Sequence, residues 1–431
     1  MLYENAIWVG TGNRPICLYP EMADHHGLIV GATGTGKTVT AKVLAEGFSL
    51  LGIPVAITDI KGDYSGMAQH GDHSDKMAER MARCGVRSFC YRAFPSVFWD
   101  VYGEKGHSVR TVLEMIDPLL LGRMLGLNDT QTDVLDICFR VAHDEGMLIL
   151  DFKDLSAILT YLGANVKNYG HRYGSLSISS IGVVQRALRA LEDQGGARFF
   201  GEPALNMADW FMQDEEGYGH INILDCERLI WNPAMYSGLI LWMLNDLLEC
   251  LPDARESARP RLVFFIDEAH LLFSNCSARM LNLIELTIRL ISSKGVGVFF
   301  ISKEPSDIPA GILGLIGNRI AHALRVFTPS QQRALNAFSR GFRPNPSFDT
   351  RETVLTLEDG EALVSLLDRN GSPCIAERTT ILPPQSCMKA IPDDLRRKVI
   401  EHSPFAGLYD EPFTRDFVTF DFLQHQKQEK K

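Results

Sequence analysis

The stretch "GATGTGKT" at residues 31–38 decides the fold of this chain. Its spacing, G-x-x-x-x-G-K-T, is typical of a phosphate-binding P-loop, and it lies between an apolar run, "GLIV", and a helix-like segment, "VTAKVLAEGFSLLG". Its three glycines allow backbone conformations and close approaches that a side chain would block. Successive backbone amides can then point at phosphate oxygens, and the helix that begins near Lys37 adds its positive end.

This loop predicts that the chain binds ATP together with Mg²⁺. Lys37 is placed to reach the β- and γ-phosphates, and the Thr38 hydroxyl is placed to ligate Mg²⁺. The residues predicted to hold the nucleotide are Gly31, Thr33, Gly34, Thr35, Gly36, Lys37, Thr38 and Val39. The alternative is a glycine-rich turn without a ligand, and the strand before the loop and the helix after it argue against that.

A second motif, "RLVFFIDEAH" at residues 261–270, predicts the acidic half of the site. It is an apolar strand that ends in Asp267 and Glu268, which is a Walker B pattern. Asp267 would hold Mg²⁺, and Glu268 would orient and polarise the water that attacks the γ-phosphate. Two acids that cap the following helix are the structural alternative. The P-loop upstream favours the catalytic interpretation.

Polar residues at the ends of other predicted strands are candidates for the same site. Ser302 and Lys303 end the strand that follows the Walker B motif, where a polar residue can sense the γ-phosphate, although an exposed loop lysine fits equally well. A turn after the second predicted strand carries Asp59, Lys61 and Asp63. This turn lies at the sheet edge where ligands bind in open α/β folds, or it is an ordinary solvated turn.

Two arginines are candidates for a catalytic contribution from a neighbouring subunit. Arg319 and Arg325 lie at either end of the predicted strand "RIAHALR". Either residue is a candidate arginine finger that reaches the nucleotide site of the next subunit, an effect on the order of 10³–10⁵ in rate where it operates. The alternative for each is an ordinary surface arginine.

Composition excludes several classes of protein. The chain has 431 residues, of which 45% are hydrophobic, enough for one large α/β domain with additions or for two domains. We find no transmembrane run and no signal-peptide pattern, so we expect a cytoplasmic protein. The nine cysteines include no C-x-x-C pair, which argues against a disulfide framework and a zinc site. With a net charge of -10, any contact with DNA must come from a local patch.

The apolar runs predict a mainly parallel sheet that is covered by helices on both faces. The predicted strands are residues 27–30, 54–60, 220–226, 261–269, 296–302 and 319–325. If the strand at 220–226 inserts between the P-loop and Walker B strands, the site is of the additional-strand type, and a P-loop kinase becomes a poorer interpretation.

The chain is predicted to divide into four parts. Residues 1–102 and 220–328 form the two halves of the P-loop core, and residues 103–219, with helical spacing and polar breaks, form a helical insertion. Residues 329–431 are predicted to form a helix, a hairpin joined by "RNGS", and an extended arm that ends in "HQKQEKK".

Several segments together resemble the HerA/FtsK superfamily of P-loop motor ATPases, and within it the YjgR-like branch of HerA-type proteins. They include "HGLIVGATGTGKTVTAKVLAEGFSLLGIPVAITDIKGDYSGM", "LNDTQTDVLDICFRVAHDEG", "FFIDEAHLLF", "GNRIAHALRVFTP" and "FRPNPSFDT", and the resemblance spans roughly residues 1–405. It implies a RecA-like core of the additional-strand type with Mg²⁺-dependent ATP hydrolysis. It also implies a hexameric ring with nucleotide sites at subunit boundaries, a double-stranded DNA translocase or helicase, and a possible nuclease partner.

The chain departs from the family pattern at two places. Ser302, Lys303 and Glu304 stand where relatives commonly have Thr-Gln-Asn, so a lysine replaces the glutamine that senses the γ-phosphate. Ser292 stands where an arginine is typical. These changes predict hydrolysis that is slow, differently gated or lost. We see no pattern for the N-terminal β-barrel through which HerA docks its nuclease, so a nuclease partner is not expected to bind through such a barrel.

Three functions stay open at this point. The first is an ATP-driven, ring-forming motor on DNA, the second an ATP-gated assembly or regulatory subunit with little turnover, and the third a protein-translocating ATPase. Candidates for DNA contact are His171, Arg172, Arg186 and Arg189, although a solvated helix face explains the last two equally well.

Overall fold

The computed structural model describes residues 2–174, 176–254 and 259–413. Within them the chain forms two compact units. Unit 1 comprises residues 2–98, 207–228 and 244–401, and unit 2 comprises residues 99–206, 229–243 and 402–413. Each unit combines stretches that are distant along the chain. The units therefore do not test the four-part division predicted from the sequence, which stays a prediction. Within these described ranges, no helix is both long and apolar enough to cross a membrane.

Strands and helices alternate along much of the described chain. The strands are β1 Leu2–Tyr3, β2 Ala6–Thr11, β3 Pro15–Leu18, β4 Gly27–Val30, β5 Val55–Asp59, β6 Ser96–Asp100, β7 His107–Ser108, β8 Ile221–Asp225, β9 Leu262–Ile266, β10 Val296–Ser302, β11 Asn318–Ala321, β12 Glu361–Ser365 and β13 Glu377–Ile381. The helices are α1 Lys37–Leu50, α2 Asp75–Arg83, α3 Pro118–Met124, α4 Asp129–Asp144, α5 Phe152–Ala164, α6 Val166–Tyr173, α7 Ile178–Asp193, α8 Pro233–Cys250, α9 His270–Phe273, α10 Ala278–Ile291, α11 Ala310–Leu313, α12 Pro329–Ser339, α13 Thr350–Thr356 and α14 Asp393–Glu401.

A mixed sheet forms the centre of unit 1. Its strand order is β1-β2-β13-β12-β11-β4-β10-β9-β5-β8-β6, with β3 paired to β2. The pairs from β11 through β4, β10, β9 and β5 to β8 are parallel, and those that join β11, β12, β13 and β2 are antiparallel. The predicted α/β fold with a mainly parallel core is therefore confirmed. The last two residues of β6 belong to unit 2, where they pair with β7.

The strand that separates the P-loop strand from the Walker B strand is β10, which pairs in parallel with both β4 and β9. The sequence left open whether residues 220–226 take this position, and they do not, because β8 lies beyond β5. The site is still of the additional-strand type. Order along the chain does not set order across a parallel sheet, because every parallel connection is a crossover that can skip neighbours.

Helix α1 packs its buried face on this sheet and so holds the P-loop in place. Phe48 contacts Phe265 and Phe299, with ring centroids 6.3 and 6.1 Å apart. At Gly47 the helix comes so close to β2 that an added Cβ would lie 2.4 Å from Ile7. The helix is therefore fixed from both sides of its buried face.

The helical patterns of residues 103–219 mostly become helices, with one exception. Within this range, apolar residues at helical spacing over residues 108–125 predict one helix, but the segment forms a 3-10 turn at Leu113–Met115 and then the short helix α3. Pro118 is the reason, because proline lacks an amide N–H and fits only the first turn of a helix. Asp117 caps this start by accepting a hydrogen bond of 2.7 Å from the Leu119 amide.

The C-terminal part contains helices α12 and α13, followed by the antiparallel pair of β12 and β13. The chain then crosses α1, where the buried Glu46 carboxylate accepts hydrogen bonds from the Gln385 and Ser386 amides at 2.7 and 3.1 Å. Lys42 donates to the Cys387 carbonyl at 2.7 Å. The predicted extended arm contains helix α14, and its tip "HQKQEKK" lies outside the described residues.

Candidate active site

The P-loop follows β4 and forms an open cradle at the carboxyl edge of the parallel strands. Gly34 has a φ of 85°, in the left-handed region that favours glycine, and an added Cβ there would meet no atom within 4 Å. In the part of the chain that the structure describes, the amides of Gly34, Gly36, Lys37 and Thr38 have no hydrogen-bond acceptor. Helix α1 begins here and has 14 residues, so the free amides at its start suit an anion such as a phosphate.

Lys37 lies against its own loop. Its Nζ donates to the carbonyl oxygens of Gly31 at 2.6 Å and Ala32 at 3.2 Å. Burial lowers the pKa of the Lys37 ammonium, while the charges of Asp267 and Glu268 act in the opposite direction. The predicted phosphate-binding lysine therefore lies near both predicted acids.

The acids follow β9 directly. The Asp267 amide donates to the Thr58 hydroxyl at 2.8 Å, and the Asp267 carboxylate accepts from the Glu268 amide at 2.8 Å. Burial raises the pKa of the Asp267 carboxyl to about 6. Glu268 has a φ of 46°, a conformation that non-glycine residues adopt rarely and that is common at functional sites.

Mg²⁺ fits the oxygen donors at this corner. A hydroxyl from Thr38 and a carboxylate from Asp267 are hard ligands of the kind that Mg²⁺ takes together with waters and substrate phosphates. The buried Tyr64 phenol lies beside Thr38, and the charge of Asp267 adds to the effect of burial in raising its pKa, so these two predicted ligands belong to one corner. Thr38 and Asp267 would hold the ion.

Three basic side chains surround the Glu268 carboxylate. Lys303 Nζ lies 3.3 Å from it, His270 Nδ1 lies 3.4 Å away, and Lys61 Nζ lies 3.8 Å away. The glutamate side chain is 6% exposed, whereas both lysine side chains are about half exposed, at 48% and 49%. The sequence indicated Lys61 and Lys303 as separate candidates, and the structure places both on the predicted catalytic glutamate.

The two serines noted in the sequence lie at opposite ends of β10. Ser302 is at the nucleotide edge, but its buried hydroxyl donates to Asp307 at 2.5 Å. Ser292 precedes the strand at the other end, where its hydroxyl donates to the Arg289 carbonyl at 3.2 Å. The seven residues of β10 separate them by about 20 Å at 3.3 Å per residue. Ser292 therefore lies far from the P-loop of its own chain.

Arg319 and Arg325 occupy different environments. Arg319 pairs with Leu28 near the start of β11, away from the P-loop edge. Its guanidinium donates to the backbone carbonyl oxygens of Leu313, Ile316 and Gly341. Arg325 is exposed and lies beyond the end of β11 that adjoins the P-loop. The finger role of either arginine stays a prediction.

The sequence did not indicate His322, whose side chain packs against the P-loop. Its imidazole contacts the Thr40 hydroxyl and the Glu361 carbonyl, each at 2.8 Å. A Cβ added to Gly31 would lie 2.6 Å from the His322 Cβ. Burial lowers the pKa of this histidine to about 4, so it is neutral at pH 7. The residue lies inside a predicted strand, and a histidine there carries no signal for a contact with a distant loop.

Asp59 and Asp225 form a buried pair at the ends of adjacent strands β5 and β8. The Ser65 amide donates to Asp59 at 3.1 Å, and Arg396 lies 3.6 Å from Asp225. Burial, followed by the charge of Asp225, raises the pKa of Asp59 to about 7. The sequence placed Asp59 at this edge and did not indicate Asp225 or Arg396.

This pair predicts a pH-dependent effect of Asp59→Asn. An aspartate in an unfolded chain titrates near pH 4, so between about pH 4 and pH 7 the folded protein holds a proton that the unfolded chain has lost. The stability of the wild type falls as pH rises through this window, and the variant lacks that contribution. We expect the melting temperature of the variant to rise relative to wild type from about pH 4 to pH 7 and then level off.

Thermal unfolding at a series of pH values, read for both proteins in the same buffers, measures this difference. All other titrating groups are common to the two proteins, so their effects cancel to first order. A difference that does not change with pH would show that Asp59 is ionised throughout.

The fold and this site define a P-loop ATPase of the additional-strand type. The chain belongs to the HerA-like helicase C-terminal family, whose model matches residues 4–431.

Solved structures with the same fold include TrwBdeltaN70, a bacterial conjugative coupling protein, at 14% identity and a TM-score of 0.59, covering 91% of this chain and 93% of that one. VirB4 of Thermoanaerobacter pseudethanolicus matches at 15% identity and a TM-score of 0.56, covering 88% and 97% of the two chains. TrwB in complex with ADP and Mg²⁺ matches at 14% identity and a TM-score of 0.57, covering 91% and 92%. These identities show the fold alone. No protein with a curated description matches this chain in sequence.

Proposed function

We propose that this protein is a Mg²⁺-dependent ATP hydrolase that works as a ring-forming, HerA-type motor on double-stranded DNA. One observation carries the ATPase part of the proposal. The Lys37 ammonium lies within electrostatic reach of the Asp267 and Glu268 carboxylates, beside an open loop with free amides. TrwB, a protein of the same fold, has been crystallised with ADP and Mg²⁺, which supports both ligands.

Each residue has a distinct part in this proposal. The loop amides and Lys37 bind the phosphates, and Thr38 and Asp267 hold Mg²⁺, which neutralises phosphate charge when bound. Glu268 orients the attacking water and takes its proton, because its carboxylate is held at the phosphate edge of the sheet. Lys303 and Lys61 fix this carboxylate, at 3.3 and 3.8 Å.

The same two lysines give a reason for attenuated hydrolysis. Each carboxylate oxygen of Glu268 faces one ammonium group, so the attacking water must compete with Lys303 and Lys61 for the oxygen that would accept its hydrogen. A γ-phosphate would compete with Glu268 for Lys61 and Lys303, because it carries more charge. Binding of the nucleotide would then free the base.

The DNA part of the proposal depends on exposed basic residues in unit 2. Arg186 and Arg189 are both exposed and lie three residues apart on α7, so they share one helix face. Arg172 is a weaker candidate, because it pairs with Asp144 at 3.1 Å and stacks over Tyr173. His171 is exposed beside it.

We expect long duplex DNA to stimulate ATP hydrolysis, and we expect the stimulation to weaken steeply with salt. A protein that contacts Z phosphates loses affinity with a log-log slope of about -0.9Z. Steady-state hydrolysis with and without DNA, over a range of salt concentrations, measures this. Arg186→Gln and Arg189→Gln should each reduce the slope by about 1 if both contact phosphates.

Arg140→Gln is the matched control, because Arg140 is an exposed arginine of the same unit that pairs with Asp136 at 3.0 Å. It should leave the slope unchanged. Basal hydrolysis without any response to DNA at low salt would remove DNA as the substrate and leave the protein-translocating ATPase and the regulatory subunit as the alternatives. We propose a cytoplasmic location, which cell fractionation tests.

A second function is favoured by the contacts of Glu268 and by the net charge of -10. In it, ATP binding orders a ring, of six subunits if it follows the family resemblance, while turnover is incidental. The molar mass of the assembly in solution, measured with and without ATP, together with the rate of hydrolysis, distinguishes the regulatory subunit from the motor. Nucleotide-dependent assembly with hydrolysis no faster than that of Glu268→Gln would establish the regulatory subunit.

A further inference from the structure

Tyr64 is a buried tyrosine whose hydroxyl lies near the candidate active site. It lies in a 3-10 turn at Asp63–Ala68, after β5, and its side chain is buried in the main core cluster with 1% exposure. The ring packs among apolar residues, as a phenylalanine would. The hydroxyl is the part of the side chain that needs an explanation.

The Tyr64 hydroxyl is buried, and among residues 2–174, 176–254 and 259–413 it makes no hydrogen bond of ordinary geometry; the Thr38 side chain beside it is a weak partner. A buried hydroxyl that is paired so weakly is unfavourable, and in native proteins such a group commonly meets a water or an ion. Its polar neighbours are known. The Thr38 side chain lies beside it, and the negative charges of Asp267 and Asp59 are close enough to add to the effect of burial in raising its pKa.

Thr38 and Asp267 are the two side chains that would hold Mg²⁺. Mg²⁺ dehydrates reluctantly and keeps several of its waters when it binds through one or two protein ligands and substrate phosphates. Those waters need hydrogen-bond partners in the protein. Asp59 Oδ1 is a second buried oxygen without a partner in the described part of the chain, and it belongs to the same side of the site.

We propose that the Tyr64 hydroxyl accepts a hydrogen bond from a water in the hydration shell of Mg²⁺, and that Tyr64 is thus an outer-sphere positioning residue for the metal. The inference rests on the proposed ATPase function. It explains why a tyrosine occupies this core position, because a phenylalanine would pack equally well and would leave the hydrated ion one partner short.

The test is the Mg²⁺ dependence of nucleotide binding by Tyr64→Phe, which removes only the hydroxyl. Binding of a fluorescent, non-hydrolysable ATP analogue is measured in EDTA and over a Mg²⁺ titration. Loss of an outer-sphere partner typically costs 10- to 100-fold in metal affinity, so we expect the Mg²⁺ concentration for half-maximal enhancement to rise by about tenfold or more. Affinity in EDTA should stay the same.

Tyr236→Phe is the matched control, because Tyr236 is a fully buried tyrosine of unit 2. It should change neither quantity. Equal Mg²⁺ requirements for Tyr64→Phe and wild type would overturn the proposal. A lower melting temperature together with weaker binding in EDTA would also overturn it, since the hydroxyl would then be structural. A wild-type protein whose nucleotide binding ignores Mg²⁺ would instead contradict the proposed function itself.

Discussion

Glu268→Gln is expected to lower ATP turnover by about 10²–10⁴-fold while the protein still binds nucleotide. Glutamine has the shape of glutamate but cannot take a proton from the attacking water. The contacts around the loop are untouched, because Lys37 binds the carbonyl oxygens of Gly31 and Ala32. Phosphate release measured at saturating Mg²⁺ and ATP gives the turnover, and a fluorescent nucleotide gives the affinity.

The surroundings of Glu268 sharpen this prediction. Glutamine also removes the charge that Lys303 and Lys61 contact, so the variant should bind ATP at least as tightly as wild type, with both ammonium groups free for phosphate. Glu249→Gln, at an exposed position of α8, is the control for a generic change of charge. Turnover within a few-fold of wild type in Glu268→Gln would mean that another group activates the water.

Lys37→Met is expected to reduce turnover by about 10²–10³-fold, the cost of losing one donor that stabilises transition-state charge, and to weaken nucleotide binding as well. Methionine keeps most of the length and packing of the lysine stem but carries no charge. In the free protein the ammonium donates to two loop carbonyls, so the variant also loses these bonds before nucleotide arrives.

The rise in melting temperature on adding Mg²⁺-ATP reports binding, since a ligand of the folded state stabilises in proportion to the logarithm of its concentration over Kd. We expect this rise to be nearly absent in Lys37→Met. Lys294→Met is the control, because that lysine pairs with Asp253 at 3.1 Å before β10, at the opposite end of the sheet. A wild-type rise in Lys37→Met would contradict the role given to the loop.

The sequence predicted those parts of the site that depend on neighbouring residues. Lys37 and Thr38 were placed by the spacing of one loop, and Asp267 and Glu268 by the end of one apolar strand. Such motifs are local, because a strand, a tight loop and a helix start position their side chains without help from the remaining chain. The same holds for the strand bounds near the P-loop and for the hairpin of β12 and β13.

Two residues that reach the site from distant segments, His322 and Asp225, were not predicted. His322 lies directly after β11 and packs against Gly31 of the loop, and Asp225 faces Asp59 from β8. The residue type of one histidine or aspartate does not predict which strand will lie beside it. Arg319 shows the converse: the sequence offered it as an arginine finger or as an ordinary surface arginine and did not indicate that its guanidinium donates to three backbone carbonyls.

The sequence by itself determined the fold class, α/β, and the class of site, a phosphate loop with a Walker B acid pair. Both follow from local patterns, because glycine spacing and apolar runs set the conformation of only a few neighbouring residues. Only the tertiary structure decided that β10 lies between the two motifs and that Lys61 and Lys303 converge on Glu268. Crossover connections set which strands become neighbours, and burial then sets which charges must pair. Both depend on the whole core at once.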